Sequence, residues 1–181
     1  MWGYIPPRRS KNMKKSFLLV LAALVLMVGS AFAQDKVELS GAYQSSTVFS
    51  YGTSNTANPG WQASAAYYLG KSPFAVVTEW TGTDFNSASK AAVNTGAGGL
   101  QYQFNRTGKL RPYVNVLFGD TKYTTGGSVN AFSQQAGAGL DLSLSKHFAV
   151  RGGLDYFHAD SAAQYASANG IRPIAGIVVR F

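Results

Sequence analysis

Two histidines, His147 and His158, are the side chains of this chain whose ordinary pKa lies nearest neutrality. His158 is the more suggestive one. The run His158-Ala159-Asp160-Ser161 places a base, a carboxylate and a hydroxyl close together. Nucleophilic catalysis needs a hydroxyl within reach of a base that a third group orients, and neighbours in a loop can meet that requirement. Short polar clusters of this kind are common, however, and the run reads first as the mouth of a loop. His147 follows Lys146 in Ser145-Lys146-His147 and reads as a solvated turn residue. The chain has no cysteine, which excludes disulfides and thiolate metal sites. No Asp/Glu cluster suggests a metal site. The Gly-rich stretches Gly96–Gly99 and Gly137–Gly139 fall on strands, where glycine eases curvature, and carry no phosphate-binding pattern. No enzyme activity and no cofactor are expected.

The remaining chemistry lies in charges, and these are scarce: only 13% of the 181 residues are Asp, Glu, Lys or Arg. Their spacing has meaning only against the elements that carry them. The last eleven residues, Ile171–Phe181, show the pattern most clearly. Ile171, Pro173, Ala175, Ile177, Val179 and Phe181 share one parity, and Arg172, Ile174, Gly176, Val178 and Arg180 the other. A period of two is the strand period, because successive Cβ atoms point to opposite faces. One face is uncharged and the other carries both arginines.

The same alternation recurs along the chain. Lys36–Ser46 sets Val37, Leu39, Gly41 and Tyr43 against Glu38, Ser40, Ala42 and Gln44. Further strands are expected at Trp61–Gly70, Phe74–Thr81, Asn94–Phe104, Leu110–Gly119, Gln135–Leu144 and Phe148–Tyr156. Short turns separate them at Gly70–Pro73, Asn105–Gly108 and Ser145–His147. Long polar stretches at Thr47–Gly60, Gly82–Val93, Asp120–Phe132 and His158–Gly170 read as four long loops. Eight strands of about 9–11 residues match the length of a tilted strand that crosses a bilayer. The fold expected is all-β: an eight-stranded antiparallel up-and-down transmembrane β-barrel, in which closure pairs every backbone group. Trp61 and Trp80 fall near the long-loop ends, while Tyr67, Phe74, Tyr102, Phe104, Phe148 and Phe181 fall near the other end, as two aromatic belts. A soluble eight-stranded barrel could bury the same apolar face. Charge placement argues against it, because Glu38, Glu79, Arg111, Asp141, Arg151, Asp155, Arg172 and Arg180 all gather on the opposite face.

The N-terminal segment has a different pattern. Lys14-Lys15 precedes twelve apolar residues, Phe17–Val28, followed by Ala31-Phe32-Ala33. About 20 residues are needed to span a bilayer as a helix, so this run is too short. A basic stretch, a short apolar stretch and an Ala-x-Ala site make a secretory signal peptide over residues 1–33, cleaved after Ala33, with the barrel domain at 34–181. Met13 lies just before the lysine pair and is an alternative start to Met1. Five of the sixteen basic residues (Arg8, Arg9, Lys11, Lys14, Lys15) precede the apolar run, which leaves eleven basic against eight acidic residues in the mature chain. They are scattered singly, so no nucleic-acid partner is expected.

The sequence resembles the small bacterial outer-membrane β-barrel (porin-like) family, which includes the OmpA transmembrane domain and OmpX. The residues that carry the resemblance are the leader, Arg111-Pro112-Tyr113-Val114, Gly137-Ala138-Gly139-Leu140-Asp141, Val150–Tyr156 and the terminal Gly176-Ile177-Val178-Val179-Arg180-Phe181. The resemblance implies periplasmic termini and extracellular long loops in a bacterial outer membrane. It also implies contact with outer-membrane lipids and lipopolysaccharide. The terminal strand would be read by the barrel-assembly machinery through Gly176, Ile177, Val179 and Phe181. OmpA continues into a peptidoglycan-binding domain, whereas this sequence ends at the barrel, so the resemblance does not extend to a cell-wall tether.

An eight-stranded barrel is just wide enough for side chains to fill it. The four acids and four bases on the inner face are therefore expected to pair: Glu38 with Arg180, Asp141 with Arg151, and Asp155 with Arg172. The small inward residues Ser40, Ala42, Ser64, Gly99, Gly137, Gly139 and Gly153 leave room for water. The function expected is structural or surface-interacting, with a narrow or closed pore. A small-solute porin and a lipid A-modifying enzyme are the alternatives. Tyr51, Tyr123, Phe132 and Tyr165 in the polar stretches would suit an extracellular ligand held by the long loops.

Overall fold

The computed structural model describes residues 36–50, 53–86, 91–124, 128–160 and 167–181. The expected signal peptide at 1–33 lies outside the described residues, as do Tyr51, Ser161 and Tyr165. The described chain forms eight strands: β1 (Val37–Ser50), β2 (Thr53–Tyr68), β3 (Phe74–Asn86), β4 (Ala91–Gln103), β5 (Leu110–Thr124), β6 (Ser128–Ser143), β7 (Phe148–Ala159) and β8 (Ala168–Arg180). Each strand is antiparallel to the next, and β8 returns to pair with β1, so the sheet closes without an edge. The fold is a closed eight-stranded antiparallel β-barrel.

The side chains follow the alternation of the sequence. On β5, Tyr113, Asn115, Leu117 and Thr121 are buried, whereas Val114, Val116 and Phe118 are exposed. Around the outside, Trp61, Trp80, Phe74, Leu100, Phe104, Leu140, Leu154 and Ile177 all present roughly half their surface. An apolar outside around a polar inside inverts the arrangement of a soluble core. The aromatic side chains of the outer wall touch one another. Phe74 and Tyr102 meet edge-on at 5.0 Å, Tyr102 and Phe104 at 4.8 Å.

The strands run much further than the sequence suggests. Most of the four stretches read as long loops is ladder: Ser50 still pairs with Thr53, Thr124 with Ser128, and Ala159 with Ala168. Ser, Thr, Asn and Gly there signal a lack of large apolar side chains, not an unpaired backbone. Once both faces can be wet, the period-two signature fades while the hydrogen-bond ladder continues. Phe132, read as a loop aromatic, sits on β6 and stacks on Phe118 at 6.4 Å on the outer wall.

Two prolines sit where the ladder tolerates them. In an antiparallel pair, a residue's N–H and C=O point to the same neighbour. The Pro112 carbonyl accepts the N–H of Phe104 at 3.0 Å, so its missing donor would face a residue already beyond the end of β4. On β8, pairing with β1 runs to Gln44↔Ile174 and resumes at Thr47↔Ile171, and Pro173 falls in the interruption. The three tight turns all lie at one end of the barrel. Gly70 takes a left-handed φ of 64° in the first, a conformation that suits glycine. In the second, the Gly108 N–H donates to Asn105 Oδ1 at 2.9 Å; in the third, the Phe148 N–H donates to Ser145 Oγ at 3.1 Å.

Candidate functional site

The inner face gathers seven buried charged residues: Glu38, Glu79, Asp141, Arg151, Asp155, Arg172 and Arg180. They form two layers. The layer nearest the tight turns joins β1, β6, β7 and β8. Arg180 Nε donates to Glu38 Oε1 at 2.7 Å, and its Nη2 donates to Asp141 Oδ2 at 3.0 Å. Arg151 forks onto the same aspartate, with Nε to Oδ1 at 2.7 Å and Nη2 to Oδ2 at 2.9 Å. Arg151 Nη2 also lies 3.6 Å from Glu38 Oε2. Two carboxylates therefore meet two guanidiniums, and the forked geometry is the strongest available to such a pair.

Neutral side chains complete this layer. Tyr68 Oη lies 3.1 Å from Glu38 Oε2 and also bonds to Gln103 Oε1, while Gln101 Nε2 donates to Tyr68 Oη at 3.1 Å. Arg180 Nη1 donates to Ser143 Oγ at 3.1 Å. The Arg151 guanidinium sits 4.4 Å above the Tyr113 ring. Tyr113 crosses the lumen wall over Gly139 and Gly153: a Cβ on either glycine would lie 2.5 Å or 2.7 Å from its hydroxyl. The room expected for water at these two glycines is thus filled by a phenol. Arg111, expected inside, is only half-buried. It faces Asp141 in the ladder register, and its Nε donates to the Gly108 carbonyl at 3.1 Å.

The second layer lies nearer mid-barrel and is held differently. Gln62 Nε2 donates to Glu79 Oε2 at 2.6 Å and reaches Asp155 Oδ2 at 3.4 Å across the lumen. Arg172 Nη1 donates to Thr81 Oγ1 at 3.2 Å, and its Nη2 bonds to Gln135 Oε1. Its Nη2 lies 3.8 Å from Glu79 Oε1, and its guanidinium lies 5.0 Å from the Phe157 ring. Asp155 and Arg172 face each other in register, yet no ion pair within 4.0 Å joins them among the described residues. The expected Asp155–Arg172 pair is therefore replaced by Arg172 contacts to Glu79, Thr81 and Gln135. A long guanidinium in a narrow lumen reaches across it more readily than sideways along the wall. Asp155 Oδ1 instead occupies the space above Gly137, where a Cβ would meet it at 2.1 Å and Asn115 Oδ1 at 2.5 Å.

Among the described residues, six buried side-chain atoms have no hydrogen-bond partner within the protein: Gln44 Oε1, Glu79 Oε1, Ser133 Oγ, Gln135 Nε2, Asp155 Oδ1 and Arg172 Nε. None belongs to the turn-end layer.

The whole barrel is also recognisable as a family. Residues 17–180 match the model described as outer membrane protein beta-barrel domain. The chain belongs to that family. Among curated proteins, none matches the sequence significantly. Among solved structures, the barrel resembles Neisserial surface protein A (NspA), with a TM-score of 0.71 and 13% identity, over 80% of this chain and 97% of that one. It also resembles Ail, the attachment invasion locus protein of Yersinia pestis, with a TM-score of 0.56 and 17% identity, over 82% of this chain and 100% of that one. At such identities the likeness shows the fold alone. As a small outer-membrane β-barrel, this chain turns the exposed Trp, Phe and Leu of its outer wall to lipid.

The outer-membrane barrel places the remaining expected residues as follows. His158 lies at the far end of β7 from the tight turns, with Nδ1 2.6 Å from Asn169 Oδ1 and Nε2 3.1 Å from Asp160 Oδ1; Ser161 is outside the described residues. His147 Nδ1 lies 3.1 Å from the Arg180 carbonyl. Gly176 and Ile177 pair with Ala42 and Gly41 of β1, Val179 pairs with Leu39, and the Phe181 N–H donates to the Val37 carbonyl at 2.9 Å. Among the described residues, no group of three or more His, Asp or Glu could hold a metal ion. Sequence reasoning missed Tyr68, Gln101, Gln103, Tyr113 and Gln135 as members of the lumen network. The signal was present, because each shares the parity of a charged inward neighbour on its own strand or across the ladder.

Proposed function

We propose that this outer-membrane barrel is plugged and non-catalytic, with a structural or surface-interaction role. It is exported by a cleaved signal peptide at residues 1–33, stands with its tight turns in the periplasm, and is assembled through its Gly176–Phe181 strand. The observation that carries the plugged reading is the turn-end layer. Glu38, Asp141, Arg151 and Arg180 span the interior from four strands, and every carboxylate oxygen has a cationic or hydroxyl partner within 3.6 Å. Opening a path there means separating buried ion pairs, which is strongly unfavourable.

Planar-bilayer recording tests the reading. Pure refolded protein is expected to give no current steps; regular open-channel steps would sink the plug. For the assembly signal, deletion of Phe181 is expected to lower the yield of heat-modifiable, membrane-inserted protein more than any single deletion in the segments joining the long hairpins. Normal insertion of that truncation would remove the support for it.

The far ends of the strands are the surface such a barrel offers to partners, including lipopolysaccharide. One Ail structure, with a TM-score of 0.53, is in complex with the heparin analogue sucrose octasulfate. The described outer ends here carry Asp120 and Asp160 against Lys122, which is no basic patch, so a sulfated ligand of that class is not carried over to this chain.

A further inference from the structure

Among the described residues, the tight-turn end of the barrel is basic. Lys71 lies in the first tight turn, Arg106 and Lys109 in the second, Lys146 in the third, and Lys36 just before β1. No Asp or Glu occurs in the turns 69–73, 104–109 and 144–147. The turns are tied to one another around the rim. Arg106 Nη1 donates to the carbonyls of Gly70 and Ser72 at 3.1 Å and 3.0 Å and lies 4.0 Å over the Tyr68 ring. The Ser143 N–H donates to the Lys109 carbonyl at 2.8 Å, and the Tyr68 N–H to the Lys36 carbonyl at 2.7 Å. Lys36 and Lys109 are thus tied into the rim through their carbonyls, and Lys71 lies between the two carbonyls that Arg106 holds.

Each of the three turn lysines is also within two residues of a leucine on the outer wall. Leu69 precedes Lys71, Leu110 follows Lys109, and Leu144 precedes Lys146; all three leucines are at least half exposed. Two strand residues span about 7 Å. A lysine stem can lie along the apolar wall while its ammonium stays at headgroup depth. We propose that this basic ring binds the phosphodiester headgroups of anionic glycerophospholipids in the leaflet around the tight turns. The ligand is a lipid rather than a free anion, because the charges sit at the border of the lipid-facing wall and not in a pocket. With the turns in the periplasm, that leaflet is the inner one of the outer membrane; the binding itself requires only that the barrel span a bilayer.

The test is lipid selectivity in symmetric vesicles, which makes it independent of orientation. Spin-labelled phosphatidylglycerol and phosphatidylcholine are compared for the immobilised fraction against the reconstituted barrel at low salt. The wild type is expected to prefer phosphatidylglycerol about fivefold, given the attraction of each lysine to an anionic surface. The variant K71Q/K109Q/K146Q is expected to lose most of that preference, and K71R/K109R/K146R to keep it. Heat-modifiable mobility confirms that each variant is inserted. Equal association of the two lipids with the wild type, or an unchanged preference in the glutamine variant, would overturn the proposal. So would abolition of the preference when phosphate replaces chloride at constant ionic strength, which would assign the ring to free phosphate.

Discussion

The two layers of the lumen are built from the same residue types and end in different states. In the turn-end layer, two carboxylates meet two guanidiniums, and both oxygens of each carboxylate are engaged within 3.6 Å. In the mid-barrel layer, two carboxylates, Glu79 and Asp155, accompany one arginine, Arg172, which comes no closer to a carboxylate oxygen than 3.8 Å, on Glu79. Among the described residues, all six unpartnered buried polar atoms lie outside the turn-end layer. The difference teaches that burying charges inside a barrel does not by itself pair them. The turn-end layer has stoichiometric balance with forked geometry; the second layer buries a surplus carboxylate among amides and hydroxyls.

That contrast can be broken by substitution. The largest effect is expected from Asp141→Ala. It leaves Arg151 and Arg180 both short of a carboxylate, and removing one partner of a buried ion pair costs about 3–5 kcal/mol. Urea unfolding of the detergent-refolded barrel reads this out, and a loss under about 1 kcal/mol would erase the distinction between the layers. Next comes Gly137→Ala, whose Cβ would lie 2.1 Å from Asp155 Oδ1. The atoms it meets are the far ends of side chains that can turn aside, so the cost is expected at the low end of overpacking, about 1 kcal/mol, in the same assay. The smallest effect is expected from Glu79→Gln. It removes the surplus charge and keeps the Gln62 contact, so stability is expected to change by less than about 1 kcal/mol or to rise. If Glu79→Gln costs as much as Asp141→Ala, the mid-barrel layer is as tightly paired as the other and the comparison fails.

How much of this was legible depends on whether the ladder decides the contact. Eight strands and their two faces follow from alternation, because a one-residue slip would turn every apolar side chain inward; closure follows from strands long enough to cross a bilayer, where every backbone group must pair. Glu38 opposite Arg180, and Asp141 opposite Arg151, are neighbours that antiparallel pairing imposes once the strands are placed. Arg180 to Asp141, Gln62 to Asp155 and Arg172 to Gln135 are not ladder neighbours. They depend on how the barrel curves and on which long side chain wins the space, and sequence parity says nothing of either. The strand extensions beyond the apolar wall were hidden for another reason. Composition reports large apolar side chains, and those stretches pair their backbones with few of them.

Glu38 and Arg180 are 142 residues apart in the chain, one on the first strand and one on the last. Until β8 docks, Glu38 has no Arg180, and Asp141 has only Arg151. Closing the seam therefore also brings the second guanidinium to the turn-end layer. Contacts between chain ends form slowly, because the entropy of bringing them together is spent before any interaction returns it. A partly assembled barrel would carry an excess of buried negative charge at its turn end, and the arrival of the final strand would discharge it. The strand that closes the wall thus also completes the charge balance inside it.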